Sequence, residues 1–411
     1  MRTVKTLREQ YQLIDELLEK KLQQIPALME IAGIDMWIVF AKEYNEDPIL
    51  EFLTPTSFPT ARRLTCLIFA KTKEGFKRYN AGRPSSDLDP YYESIFNDVD
   101  EKQFAAIRAI IEKINPTKIG LNFSSHYAFG DGLTKSIYDD FANAMSKEIL
   151  DKVVSAENLC LRYLETRLPE ELERYKEIAE LAMDIVNEAF SFNVIELGKT
   201  TTRDLEWWLK QEVNRLGLPF WFPPTIDLQR KDSGPIYDDV TIERGDLLHV
   251  DFGLIYLGLC TDHQRLAYVP QVNETEVPEY LMKAFKENNH FQDIVCANFI
   301  EGRTGNEIFT ASVNQAKAEG ITPMLYTHPI GHYGHGPGPT IGLFNEQKEI
   351  KVKGDYPLYK NTCYALELNT KRLVPEFSNK DLYVFTEETI DFDGEKCIYL
   401  AKGRDHIHLV K

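Results

Sequence analysis

Three acidic residues lie within strand-like, mostly apolar segments, and they constrain the fold more than any other feature of this sequence. Asp251 ends the segment LLHVD, Glu367 lies within YALEL, and Glu387 ends the segment YVFTE. A carboxylate that is removed from water is destabilising unless it is paired or bound to a cation. A chain with this pattern must therefore fold so that its acidic side chains meet partners inside the protein.

A second aspartate, Asp262, follows Asp251 after eleven residues, and both lie in segments typical of adjacent strands. These segments, GDLLHVDFG and LIYLGLCTDHQR, contain apolar and β-branched residues between Gly and Asp. A hairpin folded near residues 256–257 would bring the two aspartates opposite each other on one face. Because Tyr-Leu is unfavourable in a two-residue turn, a bulge at Gly253 or Gly258 is the alternative. Facing like charges repel, which favours a cation between them over two solvated aspartates.

Three of the nine histidines lie within eight residues of one irregular segment, THPIGHYGHGPGP. Glycine lets the backbone approach a ligand closely, and neutral imidazole is the commonest metal-binding side chain. A single histidine is usually an ordinary core or surface residue, but three in one loop favour a metal ligand among them. The residues alone leave open whether it is His328, His332 or His335.

Two glutamates complete a candidate ligand set. Glu387 and Glu388 are adjacent, so in a strand they point to opposite faces and only one of them can join the site. With the aspartate pair and the histidine loop, Glu367 and Glu387 form a set of five ligands that can hold two divalent cations. Two cations about 3.5–4 Å apart can activate water for amide hydrolysis.

The order Asp, Asp, His, Glu, Glu resembles that of the pita-bread metallopeptidases, which include methionine aminopeptidases, aminopeptidase P and prolidase. Asp-Phe-Gly and Asp-His-Gln-Arg resemble the family strings D-x-G and D-x-T-R. GHGPG resembles the G-H-G-x-G string that carries the ligand histidine, whereas HPIGH resembles the H-x-x-G-H string of prolidases and makes His332 the alternative ligand. The resemblance implies the metal ligands Asp251, Asp262, His335, Glu367 and Glu387.

The resemblance also implies a function. It predicts a peptidase that uses two divalent ions, and the sequence does not choose among Mn²⁺, Co²⁺, Fe²⁺ and Zn²⁺. Asp262 and Glu387 would bridge the ions, and Glu367 would carry a proton to the leaving amine. Because they lie close in sequence to the candidate ligand, His328 and His332 are candidates for catalytic roles in place of family histidines that this sequence lacks. The expected substrate is a peptide with proline after its first residue, as for aminopeptidase P or prolidase.

The sequence departs from the family in its substrate contacts. The family has a second histidine seven residues after the ligand histidine, but that position is Gly342 when counted from His335 and Pro339 when counted from His332. The arginine that prolidases often carry just before the last glutamate is replaced by Phe385-Thr386. Two alternatives are therefore open: a pita-bread domain that binds peptides or proteins without catalysis, and a creatinase-like hydrolase of a non-peptide C–N bond.

The length of 411 residues is sufficient for two domains. Helical and strand patterns alternate over residues 1–160, which predicts an α/β domain that resembles the creatinase-type N-terminal domain. Residues 165–411 are predicted to form the pita-bread domain, so the fold class is α+β. Two helix pairs, over residues 170–216 and 278–319, each lead into a strand segment with candidate ligands, which predicts a pseudo-twofold arrangement.

Composition limits the partners and the compartment. The net charge of −17 argues against nucleic acid or an anionic membrane as a partner. The first ten residues contain no apolar signal core, and no run of about 18 apolar residues occurs. The six cysteines are scattered without C-x-x-C spacing, as is typical of a reducing compartment. We expect a cytoplasmic protein that acts on peptides, and the resemblance implies a homodimer.

Overall fold

Helices and strands alternate through the unit Lys5–Leu164 of the structure, a computed structural model that describes residues 3–411. Its helices are α1 (Leu7–Leu22), α2 (Ile25–Ala32), α3 (Gln103–Ile114), α4 (Lys135–Ala144), α5 (Lys147–Leu150) and α6 (Glu157–Glu165). Its strands are β1 (Met36–Lys42), β2 (Leu64–Thr72), β3 (Gly75–Asn80), β4 (Glu93–Ser94), β5 (Ile119–Leu121) and β6 (Val153–Ser155). They form one sheet in the order β4-β3-β2-β1-β5-β6.

The apolar run of β1 occupies the middle of this sheet. It pairs antiparallel with β2 and parallel with β5, and residues 36–41 are all buried. A strand that is covered on both faces has a continuous apolar sequence, as β1 does. Helical periodicity in the sequence runs from Leu7 to Ala32 and predicts one helix there, whereas the structure has two. The first, α1, is followed by Gln23 and Gln24, and α2 ends at Gly33, whose φ is 65°.

The second unit, Glu165–Lys411, contains two helix pairs and a large sheet within its described residues. The helices are α7 (Pro169–Ala189), α8 (Thr202–Arg215), α9 (Glu279–Asn298) and α10 (Gly305–Ala318). The strands are β7 (Thr225–Arg230), β8 (Gly234–Ile236), β9 (Leu247–Phe252), β10 (Ile255–Tyr256), β11 (Leu259–Cys260), β12 (His263–Tyr268), β13 (Pro323–Leu325), β14 (His328–Ile330), β15 (Thr362–Val374), β16 (Lys380–Phe392), β17 (Cys397–Tyr399) and β18 (His408–Leu409).

The main path of this sheet is β13-β15-β16-β12-β9-β7-β8, and β14 also pairs with β15. Alternate residues of β15 divide between its two faces. Tyr364, Leu366 and Leu368 are fully buried in a core with α9 and α10. Since strand side chains alternate, Glu367 and Asn369 lie on the opposite face. One face of the sheet therefore carries the core, and the other is left for polar side chains.

The two helix pairs begin their second helix in the same way. Thr201 caps α8 with Asp204 and Thr304 caps α10 with Glu307, each in a reciprocal capping box. Each pair is followed by strands of the large sheet, as the internal repeat in the sequence predicts. No helix within the described residues is long and apolar enough to cross a membrane.

The hairpin that carries the two aspartates turns one residue later than the sequence analysis placed it. Leu257 and Gly258 both have positive φ, 52° and 74°, and form the turn between β10 and β11. This geometry matches a type I′ turn, for which glycine is well suited. The prediction that Asp251 faces Asp262 is therefore wrong: Asp251 pairs with Gln264, and Asp262 lies two residues away along the strand.

Candidate metal centre

A row of four polar side chains crosses the sheet through β9, β12, β16 and β15. Asp251 pairs with Gln264, Gln264 pairs with Glu387, and Glu387 pairs with Glu367. Residues that face each other on neighbouring strands project on the same side of the sheet. Asp262 lies two residues before Gln264 and so shares this side. The four carboxylates singled out in the sequence therefore lie on one face.

His328 joins these carboxylates from β14. It pairs with Ala365, two residues before Glu367, and is therefore on the same face. Its Nε2 is 3.5 Å from Asp262 Oδ2 and 3.6 Å from Glu387 Oε1. Its Nδ1 is 3.1 Å from the carbonyl oxygen of Pro329. A proton on Nδ1 would satisfy that carbonyl and leave the lone pair of Nε2 directed at the carboxylates, which is the arrangement of a metal-binding imidazole.

The donor atoms of this cluster fit a divalent cation. One potential ligand atom from each of Asp262, His328 and Glu387 lies within 4.8 Å of the others, and all three residues are buried. Across the described residues, Oδ1 of Asp251, Oδ1 of Asp262 and Oε1 of Glu387 are buried without a hydrogen-bond partner. Buried oxygens left in this state are destabilising. A divalent cation would satisfy them, and carboxylate and imidazole are suitable ligands for such an ion.

Burial and mutual repulsion disfavour four negative charges at this site. Burial, followed by repulsion from Asp251, raises the pKa of Asp262 well above its ordinary value. Burial and repulsion from Asp262 raise the pKa of Glu387 in the same way. Burial also raises the pKa of Asp251, and it raises the pKa of Glu367 to about 7. A bound cation would remove this penalty by displacing protons from the carboxyl groups.

Gln264 is the site residue that sequence reasoning missed. Its Nε2 donates to Glu367 Oε1 at 3.1 Å, and its Oε1 is 3.0 Å from Nε2 of His249. Nδ1 of His249 is 2.8 Å from Asp227 Oδ2. Burial alone would lower the pKa of His249, but the contacts with Asp227, together with the charge of Asp251 and the hydrogen bond with Gln264, outweigh it and raise that pKa. The sequence did contain a signal for Gln264, because a two-residue step from Asp262 keeps a strand residue on the same face.

The other two histidines of the loop lie outside the cluster of ligand atoms. His335 is exposed, and its ring lies 4.6 Å from that of His328 and 5.2 Å from that of Trp221. His332 has Nδ1 3.0 Å from the Gly258 carbonyl oxygen and Nε2 3.4 Å from Glu171 Oε1. Among the described residues, the imidazole grouped with the carboxylates is thus His328 and not His335, the ligand chosen from the sequence.

This outcome has a physical reason. The choice of His335 rested on the glycines that surround it in the sequence. The position of the His328 imidazole is set instead by the pairing of β14 with β15. His335 follows His328 by seven residues, the spacing at which the sequence analysis expected a second histidine. Counted from His328, that second histidine is present.

Two helix pairs against one sheet, with buried carboxylates and an imidazole on its open face, define a pita-bread protein with a candidate metal centre. The chain belongs to metallopeptidase family M24, whose sequence model matches residues 173–390, just over half of its length. A search of curated proteins found no match.

Solved structures share the fold over nearly the whole chain. The X-Pro aminopeptidase from Thermotoga maritima is 16% identical, with a TM-score of 0.65 over 93% of this chain and 100% of that one. The Xaa-Pro dipeptidase from Bacillus anthracis is 15% identical, with a TM-score of 0.60 over 96% and 100%. The N-terminal domain of the FACT complex subunit SPT16 from chickpea, Cicer arietinum, is 12% identical, with a TM-score of 0.60 over 94% and 96%.

Proposed function

We propose that this protein is a peptidase that depends on two divalent cations and releases the N-terminal residue of a peptide. The observation that carries the proposal is the buried group of Asp262, His328 and Glu387, in which carboxylate oxygens have no hydrogen-bond partner among the described residues. Asp251 and Glu367 lie beside this group, in the same cross-strand row as Glu387. The proposed metal ligands are Asp251, Asp262, His328, Glu367 and Glu387.

Bound divalent cations supply Lewis acidity, which activates water and polarises a substrate carbonyl at neutral pH. Glu367 is suited to move a proton from water to the leaving amine. The amide of Gln264 holds Glu367 Oε1 at 3.1 Å and so restricts the orientation of the carboxyl group.

His335 is suited to contact the substrate. It is exposed, next to His328, and burial of part of its ring, followed by repulsion from His328, lowers its pKa to about 4. A neutral imidazole can still donate one N–H to the oxygen that becomes negative in the transition state. Trp221 packs edge-on against this ring at 5.2 Å, and its Nε1 donates to the Thr261 carbonyl oxygen at 2.9 Å. The indole therefore offers a fixed apolar wall for a substrate side chain.

The choice of a substrate with proline in second position rests on two relatives of the same fold. The structures from Thermotoga maritima and Bacillus anthracis are named for cleavage of X-Pro and Xaa-Pro bonds. A second candidate function, binding of a peptide or protein without catalysis, draws on the similar fold of the chickpea SPT16 domain. The carboxylate cluster favours catalysis, because a binding surface has no need of four acidic groups close together on one face of a sheet.

The test is peptide cleavage by protein that is first treated with a chelator and then reloaded with Mn²⁺, Co²⁺ or Zn²⁺. We expect release of the first residue from Ala-Pro and Ala-Pro-Ala in the presence of metal, and loss of both metal and activity in Asp262→Ala. Glu276→Ala, which alters an exposed carboxylate before α9, is the matched control. Two bound metal ions without cleavage of any peptide would contradict the proposed peptidase. Absence of bound metal would favour the binding protein.

A further inference from the structure

A pocket of about 500 Å³ lies on the site face of the sheet beside the candidate metal centre. Its lining includes two cross-strand pairs, Asn369 with Phe385 and Lys371 with Tyr383. These pairs lie two and four residues from the Glu367–Glu387 pair, after it along β15 and before it along β16, so their side chains share its face. The ring of Phe385 also lies 5.2 Å from that of His249, which contacts Gln264 in the carboxylate row.

The spacing of the strands sets the distance from the cluster to each part of the pocket. At about 3.3 Å per strand residue, the Phe385 pair lies roughly 7 Å from the Glu387 pair and the Tyr383 pair lies roughly 13 Å from it. An extended peptide covers about 3.3–3.6 Å per residue. A peptide cleaved at the cluster would thus reach Phe385 with about its second residue beyond the scissile bond, and Tyr383 with about its fourth.

Four of the ten described residues that line the pocket are aromatic. Tyr383 and Phe385 lie nearly parallel, with ring centroids 6.0 Å apart and 12° between their planes. Tyr237 and Phe344 also line the pocket and remain 70% and 61% exposed. Large apolar side chains exposed in a concave site are typical of ligand binding. A flat aromatic or other apolar side chain would bury this surface.

The far end of the pocket carries a positive charge. Of the described residues that line it, Lys371 alone is charged, in a chain whose net charge is −17. Its Nζ lies 5.9 Å from the centre of the Tyr383 ring and 3.4 Å from Asp381 Oδ2, and both ion-pair partners are 43% exposed. An exposed pair of this kind is weak, so the ammonium group is available to a second anion.

We propose that this pocket selects peptides of about three to five residues by two features. An apolar, preferably aromatic, side chain packs on Phe385 and Tyr383, and the free C-terminal carboxylate meets Lys371. The inference rests on the proposed peptidase function, since only release of the N-terminal residue leaves the longer product on the pocket side. Lys371 and the two aromatic residues then determine specificity and take no part in the chemistry.

The experiment compares Ala-Pro-Ala-Phe as the free acid and as the C-terminal amide, with wild-type protein and Lys371→Met. We expect the wild type to have a KM about threefold to fivefold lower for the free acid, the size of one exposed ion pair, with little change in kcat. Lys371→Met should remove this preference. Lys317→Met, which alters an exposed lysine on α10, should keep it.

A second comparison tests the aromatic wall. Tyr383→Ala should raise the KM for Ala-Pro-Ala-Phe more than that for Ala-Pro-Ala-Ala, because only the former loses a ring contact. The inference is wrong if the active wild type treats acid and amide alike, or if Lys371→Met retains the preference; the peptidase proposal stands in both cases. If metal-loaded protein cleaves no peptide, the peptidase proposal fails. Calorimetric titration with the same acid and amide then tests whether the pocket binds the free C-terminal carboxylate, and equal affinities would overturn that proposal.

Discussion

At the scale of single residues, the two neighbouring imidazoles have separable roles. His328 lies between Asp262 and Glu387, whereas His335 is exposed above it. We predict that His328→Ala lowers metal affinity by more than about tenfold, since even residues that only support a ligand have effects of 10–100-fold. His335→Ala should leave metal content unchanged and lower kcat by about 100-fold, as expected for loss of one donor to the reacting oxygen.

The measurement is metal content after dialysis, by elemental analysis, beside turnover of an Xaa-Pro peptide. His290→Ala is the control, because His290 is 53% exposed and pairs with Glu319 on the helical side of the fold. Loss of bound metal in His335→Ala, with normal metal in His328→Ala, would restore the assignment made from the sequence.

These residues also show how far sequence reasoning reaches in the site. Three acidic residues within apolar segments were conspicuous, and the structure brings them and Asp262 to one face of the sheet. The imidazole was harder to identify, because three histidines in a Gly- and Pro-rich loop have no periodicity from which to derive a direction. Gln264 was overlooked since a neutral amide carries no charge that marks it as unusual in a strand.

At the scale of elements, the junction of β12 with β16 depends on a buried ion pair behind the metal site. Arg265 and Glu388 are 4% and 2% exposed, and their side chains meet at 2.8 Å. Nη1 of Arg265 also donates to the carbonyl oxygens of Gln264 and Glu387, at 3.0 and 3.1 Å. The guanidinium group therefore joins the two strands at the residues whose side chains form the centre of the carboxylate row.

Arg265→Met should destabilise the fold by about 3–5 kcal/mol, because it leaves Glu388 buried without its partner. The double variant Arg265→Met/Glu388→Leu should recover much of this loss, since it removes the isolated charge. Urea denaturation measures both. Arg372→Met, which breaks the partly exposed pair with Glu287, is the control and should change stability by about 1 kcal/mol or less. Equal losses in the single and double variants would contradict this account.

The elements themselves followed largely from sequence patterns, and the exceptions have local causes. The four helices of the second unit lie within a few residues of the predicted ranges, because long amphipathic segments with clear end signals are unambiguous. The hairpin register was shifted by two residues, because the turn uses Leu257 in a conformation that its side chain does not favour. The sequence predicts one first helix where the structure has two, because helical periodicity continues across the short break between α1 and α2.

At the scale of whole units, Asp47 should make the stability of the N-terminal unit depend on pH. It is buried, and burial raises its pKa to about 6 despite hydrogen bonds from Ile49 N and Asn122 Nδ2 at 3.0 and 2.9 Å. The folded unit then holds a proton that the unfolded chain releases near pH 4. Its stabilising contribution is fully present below about pH 4 and is lost as the pH rises through 6.

We predict that wild-type stability, relative to Asp47→Asn, falls by about 2–3 kcal/mol between pH 4 and pH 7, the equivalent of a shift of about two pKa units. Urea denaturation across this range gives the two profiles. Asp151→Asn alters an exposed aspartate at the end of α5 and should follow the wild-type profile. Parallel profiles for wild type and Asp47→Asn would mean that Asp47 has the same pKa in the folded and the unfolded chain, which would contradict the prediction.

At the scale of the whole molecule, the four clustered carboxylates should lower the stability of the metal-free protein and raise that of the metal-bound protein. Without a cation, burial and repulsion among Asp251, Asp262, Glu367 and Glu387 oppose folding at neutral pH. We predict that Asp262→Asn is more stable than wild type in the presence of a chelator, because it removes the central charge. With metal at about 100 times its dissociation constant the order should reverse, since the wild type then gains about 2.7 kcal/mol that the variant lacks.

Thermal unfolding with EDTA and with Mn²⁺ measures both orders of stability. Glu276→Asn, which alters an exposed carboxylate, is the control and should follow the wild type in each condition. If Mn²⁺ stabilises Asp262→Asn as much as it stabilises the wild type, the metal binds elsewhere.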